Sequence, residues 1–268
     1  DTDHTEILLD LDVTKTYAPV IQNFDEPFAD PASVTNWYVA KATAGHVKVA
    51  LSGDGGDEMF FGYDVYGRIA RAARWRRFLL GWDPSQFILQ QYYRYDPIIQ
   101  SKVLNIEPTT HNLQPLTYKD IRLTTRMMDV ERTLQDYYLR KVDGVSMMNS
   151  LEVRVPFLDR LFVDTILRFS PHVHFDSRGG KALLRYAMKG ALPDEILTRP
   201  KQGFIRPWKQ MFSGPMRSIL RERVLSKRLR DSGWFNMSTI ETILYDHEKG
   251  SRDYSQIMWR LFVFSEWL

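Results

Sequence analysis

A short apolar run leads directly into a glycine-rich acidic loop near residue 50. Val47 to Leu51 (VKVAL) predicts a buried strand, and Ser52 to Glu58 (SGDGGDE) follows it without a gap. A new helix is expected to begin near Asp57. Because strand and helix patterns alternate around this loop, the sequence predicts an α/β layer with a parallel sheet.

The composition of this loop indicates what it can bind. Its glycines let the backbone turn tightly, and the amides of such a turn attract phosphate. The loop has no lysine and is not a Walker A sequence. Asp54 and Asp57 would repel phosphate by on the order of 1 kcal/mol or more unless a cation lies between them. Mg²⁺ prefers this mixture of carboxylates and phosphate oxygens, so the loop predicts a magnesium–polyphosphate site. A plain glycine turn whose acids favour the helix N-terminus is the alternative.

Helical patterns dominate the rest of the chain. Apolar spacing predicts helices over Val13 to Phe24, Ala32 to Ala44, Gly67 to Leu80, Thr124 to Met148, Asp159 to Arg168 and Lys181 to Lys189, and another that starts at Pro193. Thr5 to Leu11 predicts an edge or buried strand. We therefore divide the chain into an α/β part, 1–66, and a mainly helical part, 67–268.

Composition excludes several classes of protein and site. The chain has no cysteine, which excludes disulfides, thiolate metal sites and cysteine nucleophiles within it and fits a cytoplasmic location. A net charge of +3 over 268 residues favours neither a nucleic-acid-binding protein nor an acidic tail. No apolar run approaches the roughly 20 residues of a membrane span. We expect no nucleic-acid partner and no membrane span.

Three other charged segments are open to more than one interpretation. Lys201, in the run RPKQGF, could reach a phosphate, although a lysine in such a loop is usually solvated. Glu152 and Arg154 are expected to form a structural ion pair, because charges close to core-like residues are usually paired. The basic run over residues 68–77 predicts a solvated helix face, with a nucleic-acid or membrane surface as the alternative.

Four segments, in order, resemble the signatures of one family. They are NFDEPFADPAS, LSGDGGDEMFFGYDVY, KVDGVSMMNSLEVRVPFLD and GGKALLRYAMKGALPDEILTRPKQGF. Together they resemble the glutamine-hydrolysing asparagine synthetases and their relatives, which include β-lactam and carbapenam synthetases and amidotransferases of polysaccharide clusters. The resemblance implies a partial asparagine-synthetase domain over residues 1–268. Its fold would be an adenine-nucleotide α-hydrolase-like parallel sheet without its N-terminal strands, followed by a large, mostly helical C-terminal extension.

The resemblance also implies a reaction and roles for single residues. A carboxylate would be activated by ATP and Mg²⁺ as an acyl-adenylate, with release of pyrophosphate, and ammonia would then attack it. Asp57 would hold Mg²⁺ on the pyrophosphate, and Asp54 would lie near the metal or the substrate. Lys201 would neutralise the phosphates in the transition state. The remaining loop residues would line the nucleotide and substrate pocket: Ser52, Gly53, Gly55 and Gly56.

The implied partners are small molecules. They are ATP, aspartate or an analogous carboxylate, and ammonia delivered by a glutaminase domain, and a homodimer is compatible with the sequence. Asp30 and Asp143 are weaker candidates for the wall of the pocket, and Glu152 and Arg154 match the signature as structural residues.

Two parts of the family pattern are not in this chain. They are the S-G-G-x-D-S pyrophosphate loop and the N-terminal glutaminase domain with its cysteine nucleophile. Since the chain begins at Asp1 with sequence that resembles a region downstream of that loop, we expect a fragment that shows no measurable ATP–pyrophosphate exchange with aspartate by itself. An intramolecular cyclase, a polysaccharide-cluster amidotransferase and a non-catalytic binding or scaffold domain that retains the fold stay open as alternatives.

Overall fold

The computed structural model describes residues 3–76, 102–105, 120–176, 178–200, 212 and 214–268. Helices dominate these residues. The α-helices are α1 (Val13–Gln22), α2 (Ala32–Ala44), α3 (Gly56–Phe60), α4 (Asp64–Arg76), α5 (Ile121–Met128), α6 (Arg140–Met147), α7 (Arg160–Leu167), α8 (Ala182–Ala187), α9 (Asp194–Thr198), α10 (Arg217–Val224), α11 (Lys227–Asp231), α12 (Met237–Glu248) and α13 (Ser255–Trp267). A π-helical stretch, Asp129–Leu139, joins α5 to α6, and 3₁₀ turns cover Pro156–Leu158 and Pro171–His174. None of the helices in these ranges is long and apolar enough to cross a membrane.

The described residues form one two-stranded parallel sheet, and the glycine-rich loop follows its first strand. It consists of β1 (Val49–Leu51) and β2 (Glu152–Arg154), with Ala50 opposite Val153. The Ser52 amide continues the ladder by donating to the carbonyl of Arg154 at 2.9 Å. The prediction of a parallel sheet is confirmed for this pair. The sequence did not reveal β2, because three residues are too few for a period to show.

The strand predicted for Thr5 to Leu11 is wrong. This segment has no regular structure, and Leu8 is 93% exposed. A strand needs a neighbour that satisfies its backbone N–H and C=O groups, and no neighbour pairs with this segment within the part of the chain that the structure describes.

The helix predictions are confirmed where the structure describes them. The α2 helix has the predicted bounds, and residues 121–147 form the long continuous helical segment expected over 124–148. The helix expected from Gly67 begins earlier, at Asp64, and residues 77–80 lie outside the described ranges. The Asp159 carboxylate caps α7, because its Oδ1 accepts hydrogen bonds from the amides of Leu161 and Phe162. The division of the chain at residue 66 stays a prediction.

Among the described residues, a large and a smaller hydrophobic core support these elements, and Ile69 and Met128 form a third, minor cluster. The larger core packs α1 against the C-terminal helices, and its fully buried members include Val20, Leu220 and Phe262. The smaller core lies under the glycine-rich loop and is built on Met59, Phe60 and Ile166. Because the loop rests on the smaller core, its position depends on a few local contacts, chiefly with the segment 156–167.

Candidate functional site

The glycine-rich loop, residues 52–58, turns out of β1 and directly into α3. Gly55 has a φ of 85°, in the left-handed region, and precedes the helix as its N-cap. A Cβ atom at Gly55 would lie only 2.3 Å from Leu158 Cδ2, so both the backbone conformation and the close packing require glycine there. By contrast, a Cβ atom at Gly53 would meet nothing within 4 Å. The backbone at Gly53 is therefore open to approach by a ligand.

Ser52 and Asp54 hold each other at the start of the loop. The Ser52 hydroxyl donates a hydrogen bond to Asp54 Oδ2 at 2.6 Å, and both side chains are partly exposed. This bond orients the Asp54 carboxylate. The structure thus brings together two of the residues that the sequence placed in the pocket.

Asp57 forms an ion pair with a lysine that the sequence analysis did not single out. Asp57 Oδ1 lies 2.7 Å from the Lys181 ammonium, and the two side chains are 25% and 34% exposed. Lys201, the lysine expected here, lies outside the described residues. The run Gly179-Gly180-Lys181 was the available signal, since it places a lysine directly after two glycines at the start of the last signature segment.

Lys181 reaches Asp57 because its loop packs tightly on the end of α3. The Lys181 amide donates to the carbonyl of Phe60 at 2.7 Å. A Cβ atom at Gly180 would lie 1.6 Å from the Phe61 carbonyl oxygen, so no larger residue fits there. The two glycine-containing segments, 52–62 and 179–181, are therefore packed directly against each other.

Glu58, the last residue of the glycine-rich loop, has its side chain in the protein interior. The side chain is 1% exposed, and the Tyr63 hydroxyl donates to its Oε1 at 2.6 Å. Burial raises the pKa of Glu58, the bond from Tyr63 opposes that shift, and the nearby carboxylates of Asp57 and Asp54 raise the pKa further. Sequence reasoning placed Glu58 only at a helix N-terminus.

The carboxylates of Asp54 and Asp57 suit a metal ion that also binds oxygen atoms of a ligand. Asp54 and Asp57 are partly exposed on one loop, and both act electrostatically on Glu58. No group of three His, Cys, Asp or Glu side chains that could hold a metal ion by itself exists among the described residues. Mg²⁺ commonly takes one or two carboxylates and fills its other positions with phosphate oxygens and water. The donor set thus suits Mg²⁺ that is bound together with a polyphosphate.

The family follows from comparison with known proteins. The model of the family described as asparagine synthase matches residues 1–268. The chain belongs to the asparagine synthase family. This confirms the resemblance that the four signature segments carry.

Individual asparagine synthetases are distant relatives of this family member. It is 26% identical over 282 residues to the glutamine-hydrolyzing asparagine synthetase 1 of Bacillus subtilis (strain 168), and the match covers 92% of this chain and 44% of that protein. Asparagine synthetase 3 of the same organism is 27% identical over 193 residues, which cover 66% of this chain and 29% of the relative. The Cricetulus griseus enzyme is 40% identical over 80 residues, which cover 28% and 14%. The chain thus spans less than half the length of these relatives.

The other residues named in the sequence analysis differ in their surroundings. Asp30 is 1% exposed and forms an ion pair with Lys141 at 2.9 Å, so it supports the fold and does not offer its carboxylate to a ligand. Asp143 is exposed. The ion pair predicted between Glu152 and Arg154 is confirmed at 2.8 Å, although both side chains are more than half exposed.

On α4, Arg68 and Arg71 are exposed while Ile69 is fully buried. This pattern fits a solvated helix face and a charged binding surface equally, so the interpretation of the basic run over residues 68–77 stays a prediction.

Proposed function

We propose that this chain is the nucleotide-binding part of an ATP-dependent, amide-forming ligase. The observation that carries the proposal is the loop at residues 52–58, which places Asp57 and its lysine partner at the carboxyl end of a parallel strand. Ligands of α/β sheets bind at this end of the strands. Membership of the asparagine synthase family supports the ligase class, and the names of the relatives support glutamine-derived ammonia as the nitrogen source.

The proposal includes a larger sheet than the two strands described. Parallel strands are normally covered on both faces, yet Leu51 is 73% and Val49 is 41% exposed. In the proposed adenine-nucleotide α-hydrolase-like sheet, further strands would pair along the edges of these two, and helices packed on the sheet would cover the Val49 and Leu51 side chains. The S-G-G-x-D-S loop that the family resemblance implies would complete the phosphate site from that added part.

Several residues of the loop, together with Lys201, have a proposed task in this reaction. Asp57 would hold Mg²⁺, and Asp54, oriented by Ser52, would contact the metal through water or bind the substrate. The open backbone at Gly53 would approach the phosphates. When bound, Mg²⁺ supplies charge neutralisation on the polyphosphate. Lys201 would stabilise the charge that develops on the leaving pyrophosphate.

The substrates follow from the same chemistry. The acid would be aspartate or an analogous small carboxylate, which attacks the α-phosphorus of ATP through its carboxylate oxygen and displaces pyrophosphate. Ammonia would then attack the acyl carbon and release AMP. A glutaminase domain elsewhere in the natural protein would supply that ammonia.

The test is carboxylate-dependent exchange of pyrophosphate into ATP by the natural protein that contains this chain. With aspartate among a panel of small acids, the wild type should catalyse exchange, and Asp57→Asn should lower the rate by at least about 100-fold. Glu241→Gln is the matched control, because Glu241 forms an exposed ion pair with Arg230 on the C-terminal helices. Residues 1–268 alone should show no exchange.

Two results would contradict the proposal. One is a folded wild type that exchanges pyrophosphate with none of the acids, which would favour a scaffold domain. The other is an Asp57→Asn variant as active as the wild type, which would remove the loop from the reaction.

A further inference from the structure

We propose that Lys181 is an exchangeable counter-cation of the candidate site. It neutralises the Asp57 carboxylate while no nucleotide is bound, and its ammonium moves to a phosphate oxygen when a metal–polyphosphate binds. This inference rests on the proposed function, because it takes Asp57 as the metal ligand. Its consequence is that the site discriminates against free divalent metal and accepts metal that arrives with a polyphosphate.

The ion pair is placed where exchange is possible. The Lys181 ammonium is 2.7 Å from Asp57 Oδ1, and about a third of the lysine side chain and a quarter of the aspartate side chain face solvent. Partly exposed pairs of this kind contribute little to stability, so a competing ligand can separate them. The ammonium thus occupies one of the two oxygens of the Asp57 carboxylate, Oδ1.

The backbone of Lys181 is fixed although its ammonium is not. Its φ is 64°, in the left-handed region, which is unusual for a residue with a side chain. The hydrogen bond to Phe60 and the tight contact of Gly180 with Phe61 impose this conformation. The Cα atom is therefore anchored to the end of α3, while the flexible four-carbon stem lets the charged group change partners.

The contact between the Asp57 and Lys181 side chains requires glycine at position 62. A Cβ atom at Gly62 would lie 1.9 Å from Asp57 Oδ1 and 2.3 Å from Lys181 Cε. Any larger residue at position 62 would push the carboxylate and the lysine apart. Three features, Gly62, Gly180 and the left-handed Lys181, thus combine to bring one ammonium to one carboxylate.

Local charge explains the exchange. Asp54 and Asp57 place two carboxylates on one loop, and the Lys181 ammonium offsets part of this negative charge. Free Mg²⁺ that binds Asp57 must displace the ammonium into water and then repels it. A polyphosphate that brings the metal offers the displaced ammonium new oxygens, so the lysine retains a charged partner.

The test measures binding of Mn²⁺, an EPR-active substitute for Mg²⁺, to the natural protein that contains this chain. In Lys181→Met, the affinity for free Mn²⁺ should rise by about tenfold, and the affinity for Mn²⁺–ATP should fall by about tenfold, since each change removes a charge-assisted contact. Lys181→Gln should shift both affinities in the same directions if the methionine variant folds poorly. Lys181→Arg should restore much of the Mn²⁺–ATP affinity, and Lys189→Met, at an exposed position on the same segment, should change neither.

Opposite shifts of the two affinities would support the exchange. If both affinities fall together, or if free Mn²⁺ binds the charge-removed variants no better than the wild type, Lys181 is a fixed structural contact and the inference is overturned. If the wild type binds Mn²⁺–ATP not at all, the proposed function fails first, and the inference with it.

Discussion

Two lysine–aspartate pairs in this chain have nearly the same length and opposite surroundings. Asp30 and Lys141 are 2.9 Å apart with side chains 1% and 9% exposed. Asp57 and Lys181 are 2.7 Å apart with side chains 25% and 34% exposed. The distance does not distinguish them. Burial makes the first pair a structural contact that is costly to break, and partial exposure leaves the second available for exchange with a ligand.

The two pairs are connected through aromatic side chains. The Lys141 ammonium lies 5.1 Å from the centre of the Tyr138 ring, and that ring stacks on Tyr63 at 6.1 Å. Tyr63 in turn donates its hydroxyl hydrogen bond to Glu58, behind the glycine-rich loop. The buried pair is therefore linked to the glycine-rich loop through Tyr138 and Tyr63, while the exposed pair contains a residue of the loop itself, Asp57.

The largest expected effect comes from breaking the buried pair. Lys141→Met leaves the Asp30 carboxylate buried without its cation and should lower the free energy of unfolding by about 3–5 kcal/mol. Urea denaturation followed by tryptophan fluorescence measures this. The double variant Asp30→Leu/Lys141→Met should recover much of the loss. If Lys141→Met alone lowers the free energy of unfolding by less than about 1 kcal/mol, the buried pair is no more stabilising than an exposed one.

Acid should weaken the packing beside the exposed pair. His174 is fully buried against Phe60 and Phe61, and burial, with a smaller contribution from Arg126, lowers its pKa to about 4. The unfolded chain, with a histidine pKa near 6.5, binds the proton more readily than the folded chain does. The free energy of unfolding therefore has its full value above about pH 6.5 and falls by up to roughly 3 kcal/mol as the pH decreases toward 4.

A series of unfolding curves between pH 4 and 7 measures this loss. His174→Phe should flatten that part of the pH dependence, and replacement of the exposed His46 by Gln should leave it unchanged. An unchanged slope in His174→Phe would show that other groups carry the acid sensitivity.

A smaller effect separates two glycines of the loop. Gly55→Ala places a methyl group against Leu158 at a left-handed position and should cost about 1–3 kcal/mol of stability. Gly53→Ala enters open space and should change stability by less than about 0.5 kcal/mol. Thermal unfolding of both variants compares them. Equal losses would mean that the loop is not held by the contact at Gly55.

The smallest effect on stability belongs to the exposed pair. Lys181→Met should change the free energy of unfolding by less than about 1 kcal/mol, because solvent already screens the charges. Urea denaturation, run beside Lys141→Met, gives the direct comparison. A loss as large as that of Lys141→Met would identify Lys181 as a structural residue.

The sequence predicted local features better than distant ones. The helices α1 and α2 and the helix after the glycine-rich loop follow from the spacing of apolar residues and from the glycine turn before α3, which are local properties. The strand β2 and the contact of Lys181 with Asp57 depend on pairs of segments more than 100 residues apart in the chain, which no local pattern encodes. The wrong strand at Thr5 to Leu11 has the same cause, since apolar character alone does not supply a pairing partner.

The central claim is that Asp57 binds the metal of a metal–nucleotide complex. Its most direct test is the affinity of the natural protein for ATP, measured by isothermal titration calorimetry with Mg²⁺ and with Mg²⁺ removed by EDTA, in the wild type and in Asp57→Asn. The account predicts that Mg²⁺ strengthens binding to the wild type by at least about tenfold and that Asp57→Asn abolishes this gain. An equal Mg²⁺-dependent gain in both proteins would contradict it.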